Sequence, residues 1–185
     1  IKNPLAGIKG AMQVFQEVAD ITAEERAILS RAIDEVQRVE SLMKSLLNFA
    51  KPPKPQFLPI CLNDVLESTL IPSLSYSSSA PDSQKAIRIV KNFDPHLPMI
   101  MADPLEMQQV FLNLIMNAVQ AMPVGGTLTA KTFENVSAKE IQIEIADTGK
   151  GINDEIREKI FQPFFTTKHT GTGLGLTISK QFIEM

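Results

Sequence analysis

Apolar residues over the first fifty positions recur at intervals of three and four, the spacing of one face of an α-helix. Leu5, Ile8, Met12 and Phe15 make a first run, and Leu29, Ala32, Val36, Val39, Met43, Leu46 and Ala50 make a second that holds for three heptads. Pro4 falls in the first turn of the first run, where a missing amide costs little, although no capping residue precedes it. The break between the runs lies at Asp20 to Ala23. Thr22 followed three residues later by Glu25 is a capping-box signature for the second helix, and so short a connection makes the two helices antiparallel neighbours. A two-helix hairpin lacks the surface to bury a seam of this length. Pairing with a second copy into a four-helix bundle is the expected solution, with a docked neighbouring domain as the alternative.

KPPKPQ at 51–56 ends the helix and cannot join a sheet interior, so it reads as a stiff linker dividing the hairpin, 1–55, from a second unit, 56–185. Asn63 is placed to cap a helix running to about Leu74, and the serine-rich SLSYSSSAPDS after it is a loop without periodicity. IRIVKNF and PMIMA read as short strands, EMQQVFLNLIMNAVQAM as a helix, and GTLTAKTF and EIQIEIAD as strands alternating with period two. The chain as a whole is thus α+β, a helical hairpin followed by an α/β unit.

Composition changes this picture little. Of 185 residues 44% are hydrophobic and 21% charged, and 18 basic against 21 acidic residues give a net charge of −3 with no basic run, so nucleic acid is not an expected partner. The single Cys61 allows neither an internal disulfide nor a cysteine metal cluster, which fits a reducing compartment and makes the cytoplasm the default. No stretch of eighteen apolar residues is present, so any contact with a membrane belongs to segments outside this chain.

Three clusters carry chemical information. In FLNLIMNAVQAM, Asn113 and Asn117 lie four apart on one helical face; their oxygens suit a hard cation and their nitrogens a phosphate, though a pair of structural amides reads equally well. In DTGKGI, Asp147 ends a strand and two glycines follow, so the backbone can turn closely around a ligand while the acceptor-only carboxylate meets an exocyclic amine such as that of adenine. A glycine-rich turn with Asp as turn former is the plainer account of that stretch alone. In GTGLGLTISKQF, Gly171, Gly173 and Gly175 lead into an apolar-periodic helix, whose amides and dipole favour an anion. Between the last two clusters, IFQPFFTTKH groups Phe161, Phe164 and Phe165 beside Thr166, Thr167 and Lys168, either as core or as the anchor of a mobile flap.

The order and spacing of these motifs resemble the N, G1, F and G2 boxes of sensor histidine kinases, and the opening IKNPLAGIKG resembles the end of their H box; within that family IKNPLAGIKG and PFFTTK look most like the nitrogen-regulatory type. The resemblance implies a dimerisation and histidine-phosphotransfer hairpin followed by the ATP-binding α/β sandwich of the Bergerat type shared with gyrase and heat-shock chaperone ATPases. It implies ATP and Mg²⁺ as cofactors, with Asp147 on the adenine amino group, Gly149 and Gly151 beside it and Asn117 on the metal. Asn113 would line the phosphate side, Gly171, Gly173 and Gly175 would let lid and helix approach the phosphates, and Lys168 would contact them. Ile152, Phe161, Thr167, Thr172 and Leu174 complete the implied ATP set. Asn113 and Lys168 would share in catalysis, and Asn3, one turn after the expected phosphoacceptor, would orient a water for dephosphorylation of the partner.

The family's H box reads His-Glu-Ile-Lys-Asn-Pro, so the phosphoacceptor is expected immediately ahead of Ile1; neither His96, in a loop, nor His169, in the lid, sits on the hairpin. Closing strands of the sheet are likewise expected beyond Met185. The implied partners are a second copy through the hairpin and the receiver domain of a response regulator, at the inner face of the membrane if outside segments tether the protein. Two rival functions remain. A hydrolytic ATPase of the same fold carries a Glu base where this chain has Asn113, which cannot accept a proton from water. A dimeric, nucleotide-binding interaction module without kinase turnover is the other.

Overall fold

Thr22 and Glu25 form the box that their spacing announced. The Thr22 amide and hydroxyl donate to the Glu25 carboxylate at 2.9 and 2.8 Å, and the Glu25 amide donates back to Thr22 Oγ1 at 3.3 Å. This starts α2, Ala23–Ala50, and sets it against α1, Lys2–Val18. The computed structural model describes residues 2–18, 21–50, 54–75, 86–168 and 171–184; the serine-rich stretch 76–85, linker positions 51–53, residues 19–20, His169, Thr170, Met185 and the side chain of Asn3 lie outside the described residues. A polar clasp holds the hairpin at its closed end, where Gln16 Nε2 donates to Ser30 Oγ at 2.8 Å and Arg26 Nη1 donates to the Gln16 carbonyl at 2.8 Å. Ile33 is buried, whereas Ile8, Val14, Phe15, Val18, Ile28, Val39, Leu46 and Leu47 stay exposed, so the apolar seam is largely uncovered in a single chain.

The second unit begins with β1, Leu58–Ile60, a strand that the sequence did not announce. Pro59 at its centre removes a ladder donor, which a two-stranded ribbon tolerates because one edge of each strand is free. Its partner is β3, Ile100–Ala102, antiparallel with Leu58 opposite Ala102. Between them come α3, Leu62–Ser75, and β2, Ile87–Phe93; after β3 come α4, Pro104–Ala121, β4, Gly126–Asn135, and β5, Glu140–Asp147. The last two strands form a hairpin, and β4 also pairs in parallel with β2, from Ile87 opposite Gly126 to Phe93 opposite Thr132, so the sheet order is β2-β4-β5.

Period-two alternation in β4 turns Leu128, Ala130 and Thr132 inward, where α3 supplies Leu66 and Leu70 and α4 supplies Phe111, Ile115, Ala118 and, just past its end, Met122. Leu66, Leu70, Ile115 and Leu128 have no exposed surface, and each such side chain contributes about 1.5–3 kcal/mol on leaving water. Two expectations are corrected here. Asn63 is not a cap: it lies inside α3, where Nδ2 donates to the Asp94 carbonyl and Oδ1 accepts from Thr132 Oγ1, both at 2.8 Å, so its reach is spent on the ends of β2 and β4. And α4 starts at Pro104, two residues before the expected run, because Asp103 Oδ1 accepts the amides of Leu105 at 2.8 Å and Glu106 at 3.3 Å. Two further helices, α5 (Asp154–Arg157) and α6 (Gly175–Glu184), close the described chain.

The first turn of α4 buries two carboxyls. Asp103 is held below the ordinary aspartate value first by the Gln56 amide, at 2.6 Å from Oδ2, and then by its two capping amides against the opposing pull of burial. Glu106 is pushed above the ordinary glutamate value by burial and secondarily by Asp103, and its Oε1 is a buried atom without a hydrogen-bond partner. A raised folded-state value means that the charged form penalises the fold; the penalty is absent below the unfolded-state value and grows as pH rises through the folded one. Glu106→Met should therefore stabilise the protein at pH 7 by about 1 kcal/mol, from roughly 1–3 for the unmet oxygen less about 0.3–1 for an acid in a first helical turn. Urea unfolding checks this, with a gain that shrinks as pH falls through the glutamate range; a gain independent of pH would assign it to packing.

Candidate functional site

Helix α4 has two covered sides. At 3.6 residues per turn, Phe111, Ile115 and Ala118 fall on the core side, while Val110, Asn113 and Asn117 fall on the other, which α6 partly covers. Asn113 Nδ2 donates to the Gly175 carbonyl and to Ser179 Oγ, each at 3.1 Å, and its oxygen accepts from Gln109 Nε2 at 3.2 Å. Its amide is thus occupied in pinning the start of α6 to α4. One turn on, Asn117 Oδ1 accepts from Lys168 Nζ at 2.6 Å, and Gln120 Oε1 accepts from the same nitrogen at 2.6 Å. Partial burial, and then the neighbouring charge of Lys150, lower Lys168 below the ordinary lysine value.

The loop after β5 is seated on the end of the same helix. Lys150 N donates to the Ala121 carbonyl at 3.3 Å, and a Cβ at Gly149 would stand 2.5 Å from that oxygen, so only glycine lets the loop lie this close. Asp147 Oδ1 accepts from Gly149 N at 2.8 Å, which fixes an exposed carboxylate at the lip of the loop. Thr148 Oγ1, unremarked in the sequence, accepts from Thr127 N at 3.0 Å and fastens the loop to β4. Gly151 and Ile152 follow, both exposed, and Asn153 caps α5 through Glu155 N. The stretch between α5 and α6 crosses back over α4. Phe161 and Phe164 are exposed and so are not core, while Phe165 is half-buried. Thr177 Oγ1 donates to the Phe161 carbonyl at 3.1 Å, and Lys180 lies 5.8 Å from the Phe161 ring centre. Phe164 has φ of 66°, a left-handed value costly for so bulky a residue, and is held there by donating to the Gly173 carbonyl at 3.0 Å. Thr167 is exposed; Gly171 and Thr172 are half-buried, with Thr172 Oγ1 accepting from Leu174 N, and buried Leu174 leads into α6.

The structure therefore gathers Asn117, Lys168 and the Asp147–Lys150 loop around the C-terminal end of α4, with Asn113 behind them as a tie to α6. Gln120 is the residue that sequence reasoning missed. Its signal was its place three residues after Asn117, hence on the same stripe. Asn117 Oδ1 already faces a cationic group, the chemistry a hard cation such as Mg²⁺ would need from an amide oxygen, with phosphate and water completing its shell.

Residues 1–54 match the family model of the His Kinase A (phospho-acceptor) domain, and residues 102–185 match that of the Histidine kinase-, DNA gyrase B-, and HSP90-like ATPase. Over the whole chain it is 34% identical to the signal transduction histidine-protein kinase AtoS of Escherichia coli, covering 29% of that protein, and 31% identical to the sensory histidine kinase/phosphatase NtrB of Rhodobacter capsulatus, covering 53%. The chain thus spans about half or less of these curated relatives. Among solved structures, full-length ShkA in complex with AMPPNP superposes with a TM-score of 0.75 at 25% identity, over 97% of this chain and 38% of that one. Histidine kinase ThkA in complex with the response regulator TrrA gives 0.71 at 24% identity, over 99% and 51%, and supports the fold.

Gly173 has φ of 67°, and a Cβ there would stand 2.3 Å from the Phe164 carbonyl carbon. Gly173→Ala should release the 161–173 segment, since a left-handed L-residue alone costs about 1–2 kcal/mol, and so speed limited proteolysis within it by about tenfold. The urea midpoint of the core should move little. Unchanged proteolysis would mean that the Phe164–Gly173 contact does not anchor the segment.

Proposed function

Through both of its domains the chain belongs to the sensor histidine kinases, and from that membership we propose that it binds Mg²⁺-ATP beside the end of α4 and serves transfer of the γ-phosphate to a histidine of the hairpin. The observation that carries this reading is the convergence of Asp147, Asn117 and Lys168, from three separate motifs, on one helix end. By the family's H box the acceptor would be an imidazole of the hairpin's first helix, and the phosphate then passes to an aspartate of a response-regulator receiver. The protein works as a dimer, because Val14, Phe15, Val18, Ile28 and Leu47 leave an apolar seam that a second hairpin covers.

Each residue has a task that its geometry permits. Asp147, acceptor-only and fixed by Gly149 N, takes a hydrogen bond from the adenine amino group. Asn117 would hold Mg²⁺ through its side-chain oxygen, and the ion would supply charge neutralisation to the phosphates. Lys168 carries positive charge on the lid to the phosphates, and the half-buried start of α6 adds amides and a favourable dipole. Asn113, by pinning Gly175 and Ser179, sets where α6 begins. Transfer of a phosphoryl group needs mainly such positioning and charge stabilisation. Hydrolysis to free phosphate is disfavoured by the same residue, since an amide cannot deprotonate water.

In the full-length protein, label from γ-labelled ATP should enter an acid-labile, base-stable group and be lost when the H-box histidine is replaced by Gln. Acid-stable labelling would overturn the kinase reading while leaving the fold intact. Asp147→Ala should weaken ADP binding by about 2–4 kcal/mol, the loss of a charge-assisted hydrogen bond together with an unpaired donor, without shifting the unfolding midpoint. Calorimetry decides; an affinity within threefold of the parent would remove Asp147 from the pocket.

A further inference from the structure

Gln120 lies inside the FLNLIMNAVQAM stretch but was given no role there, yet its Oε1 lies as close to Lys168 Nζ as Asn117 Oδ1 does, 2.6 Å in each case. Two acceptors three residues apart on α4 therefore share one ammonium from the lid. Among the described residues, no other side chain of the segment 161–168 hydrogen-bonds to α4. The cation is thus the segment's polar tie to the helix, and it occupies the oxygen assigned above to Mg²⁺.

A divalent ion bound to an amide oxygen stands at about 2.1 Å from it and brings its own waters. An ammonium on the same oxygen would be in its way and would repel it. The two cations are alternatives. We infer that Asn117 and Gln120 form a latch that holds the lid on α4 through Lys168 before metal and nucleotide enter, and that a divalent cation on Asn117 releases it. Gln120 is then a positioning residue whose carboxamide decides how firmly the empty lid is held. Once displaced, Lys168 carries its charge away from α4 and is available to the anionic phosphates that arrive with the metal. This rests on the nucleotide reading for its trigger, though not for the latch itself.

Trypsin reads the latch directly, because it must take the Lys168 side chain into its own pocket to cut the Lys168–His169 bond. In the full chain without metal or nucleotide, Gln120→Leu should speed cleavage at that bond at least threefold with cleavage after Lys150 and Lys159 unchanged, whereas Gln120→Glu, which keeps an acceptor, should not speed it. Equal rates in the parent and Gln120→Leu would overturn the latch. Calorimetry with ADP supplies the second arm: the factor by which Mg²⁺ tightens ADP binding should rise several-fold in Gln120→Leu, since the metal no longer works against the latch. An unchanged factor would overturn release by the metal. Failure of ADP to bind to either protein would overturn the nucleotide reading and the trigger with it, while the trypsin arm would still decide whether the lid is latched.

Discussion

A helix buried on two sides must place its polar residues where neither side excludes them, and α4 is such a helix. One side packs Phe111, Ile115 and Ala118 into the core with α3 and β4. The other side meets α6 through Asn113, and what remains for hydrophilic chemistry is the last turn and a half, where Asn117 and Gln120 stand. Two other segments of the second unit come to this end of the helix. The loop after β5 rests on the Ala121 carbonyl and the stretch before α6 reaches it with Lys168, while α6 itself starts two turns back, against Asn113. The site is thus a property of one helix terminus and of the core that holds that helix still.

The unmet oxygen of Glu106 fits the same constraint. It shares the α6-facing side with Asn113, at a spacing of seven, but lies where no donor meets it among the described residues. An acid in a first helical turn is favoured by the dipole, whereas burial, and then the charge of Asp103, push Glu106 above the ordinary glutamate value.

Much of this was legible in the sequence because it is local. The helical period placed α1, α2 and α4, the Thr22–Glu25 spacing placed the start of α2, and period-two alternation placed β4 and β5. The family resemblance picked out Asn117, Asp147 and Lys168 as types in an order. What could not be read were contacts between segments distant in the chain. Asn63 satisfies its amide on Asp94 and Thr132, which no local pattern foretells, and so was mistaken for a cap. β1 is three residues with a central proline, and only its pairing with β3 makes it a strand. Gln120 gains its role only from Lys168, forty-eight positions later in the chain. Phe164 in a left-handed conformation was likewise invisible, since it depends on Gly173 leaving room.

Asp103 accepts from both directions along the chain. Its Oδ1 starts α4 and its Oδ2 holds the amide of Gln56, the last residue of the KPPKPQ stretch. One carboxylate therefore serves two backbone segments at once, and replacing Asp103 would unseat Gln56 and uncap α4 together.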